Sequence, residues 1–105
     1  MATVDVTREQ VKAWLKLPSA PHADDALIDQ CAAAAGSVAS RYADGLPAGD
    51  AHLAGVMLGA RLYRRRNSPE GVQAMSDGTA VYVARTDPDI ARLLRIDGYT
   101  TPQVG

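Results

Sequence analysis

The sequence predicts an all-α protein: a small bundle of about four helices, with a long irregular or β-prone arm between the third and the fourth. Three observations lead there. Two alanine-rich stretches, 25–43 and 50–66, repeat apolar residues at three- and four-residue steps. Recognisable start and stop residues bracket the helical segments. Alanine supplies much of the apolar content and phenylalanine is absent, which favours helix but leaves a thin core.

The 105 residues suit one domain, read here as a helical core over 5–67, an arm over 68–86, a closing helix over 87–95 and a loose tail over 96–105. Helix one is expected over Arg8–Leu17. Thr7 and Gln10 have the spacing of a capping box, and Val6 and Val11 that of a hydrophobic staple. Val11, Trp14 and Leu15 make its apolar face, with Lys12 and Lys16 off it. Pro18 ends it. Helix two is expected from Asp25 to Ala43, with acidic residues at its amino end where the dipole favours them. Leu27, Cys31, Ala34, Val38 and Tyr42 form its face. Asp44-Gly45 and Pro47 stop it.

Helix three, with Asp50 as the expected cap, carries Leu53, Val56, Met57, Ala60 and Tyr63 on its main stripe. Gly55 and Gly59, four apart, mark a close backbone approach, either within the fold or between subunits. The helix ends in RLYRRRN. Arg61, Arg64, Arg65 and Arg66 complement the dipole, and four arginines in six residues leave three destinations open: nucleic-acid phosphates, carboxylates of a partner, or solvent. In the arm, Val81 and Val83 alternate with Tyr82 as in a strand, which needs a partner strand. Asp87-Pro88-Asp89 starts a closing helix with Ile90, Leu93 and Leu94 apolar. The expected core residues are Val11, Trp14, Leu27, Cys31, Val38, Leu53, Val56, Tyr63, Ile90 and Leu94. The expected interface residues are Arg61, Arg64, Arg65, Arg66, Tyr82, Gly55 and Gly59.

Net charge is −1 but uneven. Residues 1–60 hold four basic and seven acidic side chains, net −3, whereas 61–105 hold seven and five, net +2. A polarised subunit can set its basic surface against an acidic neighbour. The single Cys31 rules out an intrachain disulfide and reads as a small buried residue. Met1–Val6 lacks the basic and apolar regions of a signal peptide, and charges interrupt every long apolar stretch, so action inside a cell, without a membrane, is expected.

No catalytic, cofactor or metal site is expected. A phosphate-binding loop with lysine is missing. His22 and His52 have no cysteine or acidic pattern with metal-ligand spacing. The serines lack a nucleophile context. The amino end of helix three carries small apolar side chains where a DNA-reading helix presents polar ones.

Taken together, TREQVKAWLKL, ADDALIDQCAAAAGSVASRYAD, HLAGVMLGARLYRRRNSPEGV and DPDIARLL resemble the head-to-tail connector (adaptor) family of long-tailed phages, closest to versions from actinobacterial phages. The resemblance covers residues 5–96 and is most distinctive over the third segment. It implies a four-helix subunit of a ring, usually of twelve, at the head–tail junction of the virion. That ring docks on the portal protein, receives the next connector or tail-completion protein, and continues the channel in which genomic DNA makes transient, non-specific contact. It implies neither catalysis nor a cofactor. The alternative is a small intracellular scaffold or regulatory protein, monomeric or dimeric, with nucleic-acid binding third. The alternative expects the arm to be ordered within one chain; the connector reading expects it to be protected only on assembly.

Overall fold

A computed structural model describes residues 2–65 and 77–96. Among them the chain forms five helices: α1 (Arg8–Leu15), α2 (Asp25–Tyr42), α3 (Ala48–Arg64), α4 (Asp77–Thr86) and α5 (Pro88–Leu94). The all-α class stands, but the count of four and the β-prone arm are corrected. The expected strand is α4. Val81 and Val83 do alternate, yet Ala80, Val83 and Ala84 in the same stretch fall at helical steps, and all three are buried. This stripe lets α4 pack on α2 and α3, and burial there outweighs the β preference of two valines. The rest of the expected arm, 68–76, the last two residues of the expected helical core, 66–67, and the tail from 97 lie outside the described residues.

Helices α2 and α3 form an antiparallel hairpin and the most extensive helix pair. Gly45, at φ +86°, makes the left-handed turn between them. The N-cap position of α3 is Pro47, which offers no side-chain acceptor; Asp50, expected at that position, lies in the first turn, where its charge suits the dipole. The hairpin is close-packed through small residues. A Cβ on Gly55 would lie 3.4 Å from Ala39 Cβ, and one on Gly59 would lie 3.6 Å from Ala35 Cβ.

Helix α1 lies against both hairpin helices. Its capping box forms as the sequence predicts: Thr7 accepts from the Gln10 amide, and the Gln10 side chain accepts from the Thr7 amide. It ends at Leu15, two residues before the expected end, because Lys16 turns left-handed (φ 62°) and the Leu17 amide bonds back to the Lys12 carbonyl at 2.8 Å.

Before α1, residues 2–6 run as an extended strap along α2. Ala2 N donates to Asp44 Oδ1 (2.6 Å) and Val4 N to Ser40 Oγ (2.8 Å), while Gly36 lies beneath Val4 and Val6. The geometry matches. Two extended residues advance about 6.7 Å. Four helical residues advance about 6 Å. Each second strap residue therefore meets the next turn of α2.

Of the expected core, Val11, Cys31, Val38, Val56, Tyr63, Ile90 and Leu94 are buried, and Leu27 is half-buried against the core. Trp14 and Leu53 are corrections, since each is 40% exposed. The inward arc of α1 runs through Arg8, Val11, Lys12 and Leu15, and Trp14 lies about 110° from its centre at 100° per residue. Leu53 immediately precedes the run Ala54–Ala60, over which α3 is buried on every side.

Candidate docking surface

Where α3 ends, a cleft of about 320 Å³ lies between it and the junction of α4 with α5. One wall carries Arg61, Arg64 and Arg65; the other carries Val83, Thr86, Asp87 and Pro88. The turn at Asp87 creates this wall. Proline at the first position of α5 and the Asp87 cap start a new helix after Thr86. One Asp87 oxygen accepts from the amides of Asp89 and Ile90, and the other from Arg61 Nε at 2.6 Å. Partial burial pushes the Asp87 carboxyl up. The Arg61 hydrogen bond, the Ile90 amide, the Arg61 charge and the Asp89 amide together outweigh that and hold it below its ordinary range.

Arg61 is thus committed to a structural bridge. Arg64 is exposed and, among the described residues, makes no hydrogen bond or ion pair. Arg65 is half-buried on the same wall. Arg66 lies outside the described residues. Of the other expected interface residues, Tyr82 is 59% exposed on α4. Gly55 and Gly59 are corrections: both are buried within the fold. A Cβ on either would meet Val6 or Val11 of the same chain at 2.7 and 3.0 Å, so their close approach is internal.

A second charged cluster joins α1 to α2. Lys12, expected off the apolar face, is only 3% exposed. Its stem crosses the core edge and its Nζ donates to Ala20 O (2.8 Å) and Asp25 Oδ1 (3.0 Å). Arg8 pairs with Asp29 and Asp25. Hydrogen bonding from Lys12, then the His22 amide, lowers the Asp25 carboxyl; the bond from Arg8 lowers that of Asp29. Every carboxylate here has a cationic partner, so the cluster is a clamp between helices.

The remaining candidates have structural partners. His22 Nδ1 accepts from the Asp24 amide (2.9 Å), and the His52 ring meets Gln10 Oε1 (3.1 Å). Cys31 is buried. Among the described residues no three histidine, cysteine or carboxylate side chains come together as a metal set, and no helix is long and apolar enough to cross a membrane.

Sequence reasoning found the arginines by their clustering but missed the opposite wall of the cleft. Asp87-Pro88 was legible as a helix start; its position opposite Arg61 depends on α4 being a helix.

Comparison with protein-family models, with curated proteins and with solved structures gives no match. The ring, the count of twelve and the DNA channel therefore rest on the resemblance alone and are not carried forward; what the structure supports is a small all-α domain.

Proposed function

We propose that this chain is a non-catalytic structural subunit of the head-to-tail connector kind, one that docks on a portal protein and offers a surface to the next connector or tail-completion protein. The observation that carries the reading is the outward placement of three large side chains. In a core where alanine is the commonest residue, Trp14, Leu53 and Tyr82 stay 40%, 40% and 59% exposed. Aromatic side chains of this type are enriched among the anchors of protein–protein contacts. The resemblance over residues 5–96 supplies the kind of assembly.

The test uses genome-filled heads lacking this protein. Added in excess and imaged by electron microscopy, it is expected to give new density beneath the portal, and W14A is expected to weaken that density. Folded protein that leaves the vertex unchanged, with any preceding connector supplied, refutes the reading.

A second reading, a small scaffold or regulatory protein acting as monomer or dimer, is favoured by one observation. Residues 77–86 pack on α2 and α3 within a single chain, as that reading expects. Hydrogen exchange separates the two. Protection of 77–86 that is complete in the free chain and unchanged by heads supports the scaffold; protection gained on docking supports the connector.

A further inference from the structure

We propose that the cleft between the end of α3 and the α4–α5 corner is a recognition site for the carboxylate side chains of an acidic protein segment, read chiefly by Arg64. The proposal deepens the docking reading and rests on it for the nature of the partner. Three features of the cleft carry it.

First, the cleft holds surplus positive charge. Asp87 compensates Arg61 at 2.6 Å, while Arg64 has no compensating carboxylate among the described residues. A guanidinium presents a planar fork of donors that matches a carboxylate bidentately.

Second, the fork is held in place. Arg61 and Arg64 lie one turn apart on a rigid helix, and the Asp87 bridge fixes the facing wall relative to α3. The carboxylate that does this keeps its charge, because its oxygens accept from two amides and from Arg61. Less ordering is then left to be done on binding.

Third, the opposite wall is partly apolar. Val83 and Pro88 offer contact for the aliphatic stem of a glutamate, and the volume, about 320 Å³, lies at the small end of ligand-sized pockets. A nucleic acid fits less well. A phosphate backbone is followed by an extended basic stripe. Here the arginines are confined to one wall of a small cleft and Asp87 lines the other, which breaks such a stripe.

The experiment is a titration of the isotope-labelled full chain, followed by backbone amide resonances near physiological salt, with acetylated hexaglutamate as probe. Inorganic phosphate and a short DNA duplex are run in parallel. The peptide is expected to move the amides of Arg61, Arg64, Val83, Thr86 and Asp87, and to bind more tightly than the duplex. R64E is expected to weaken peptide binding by at least about tenfold, as loss of a desolvated charge contact does. K16E makes the same charge change on an exposed residue that does not line the cleft and is expected to leave binding within about twofold.

Cleft resonances that do not respond to the peptide, equal weakening by R64E and K16E, or tighter binding of the duplex would each overturn the proposal. Head docking by R64E separates the two levels. Docking that persists without peptide binding removes the cleft and leaves the connector reading; peptide binding without any docking by the unaltered chain does the reverse.

Discussion

Glycine-to-alanine changes along α3 should have opposite signs within two turns of one helix. Gly49 faces open space: a Cβ there has no neighbour within 4 Å. G49A therefore gains helix propensity at no steric cost, an expected stabilisation of about 0.5–1 kcal/mol. Gly55 is the reverse. Its added Cβ would stand 2.7 Å from Val6 Cγ2, 3.3 Å from Val4 Cγ1 and 3.4 Å from Ala39 Cβ. The same propensity gain is opposed by overpacking of about 1–3 kcal/mol. The net expectation is destabilisation by about 1 kcal/mol, with G49A and G55A about 2 kcal/mol apart. For a domain of this size that gap is roughly 8–16 °C in the thermal midpoint, at 4–8 °C per kcal/mol. Thermal unfolding followed by circular dichroism reads it directly. The control is V6A, which removes the offending Cγ2. On that background G55A should change sign and stabilise, a coupling of about 2 kcal/mol. If G55A raises the midpoint as G49A does, or if its sign is the same with and without Val6, the strap is not wedged between the hairpin helices and the packing argument is wrong.

Acid should unfold the protein through identifiable groups. Asp25, Asp29 and Asp87 all have folded pKa values below their unfolded ones. The unfolded chain therefore binds their protons first on acidification. Their contribution is complete above the unfolded pKa of about 4 and is lost as pH falls through the lower folded values. The thermal midpoint should be nearly flat between about pH 5 and 7 and drop below about 4, and the combined D25N, D29N and D87N variant should show a shallower drop over that lower window. D87A should cost about 1–2 kcal/mol in chemical denaturation, since it removes the α5 cap and the Arg61 bridge together. D87N keeps a capping oxygen and should cost less. K12A should lower the thermal midpoint more than K16A, because Lys12 is buried with two partners and Lys16 is exposed; equal effects would show that the clamp adds nothing.

What was legible in the sequence was local. The Thr7–Gln10 capping box, the alanine-rich α2 and the Asp87-Pro88 start are fixed by residues within a few positions of one another, and each forms as read. What was missed depended on distant partners. The helical stripe of α4 becomes decisive only once α2 and α3 are there to cover it. Lys12 looked like a surface residue because its acceptors, Asp25 and the Ala20 carbonyl, belong to other parts of the chain. Committing Lys12 to the inside turned Trp14 outward. The candidate site divided in the same way: Arg61, Arg64 and Arg65 were visible as a run, while the wall facing them required the α4–α5 corner.

The strap of residues 2–6 also sets the order in which the molecule can be built. Its hydrogen-bonding partners lie 36 to 42 positions away in sequence, and the glycine that receives Val6 is further still, on α3. On a ribosome those first residues emerge long before anything exists to hold them, and they must wait for the whole hairpin. Closing so long a loop is favourable only after the hairpin has formed. We therefore expect the strap to act as a late latch: V6A should leave the folding rate nearly unchanged and accelerate unfolding. A slowed folding rate in a stopped-flow experiment would instead place the strap in the nucleus.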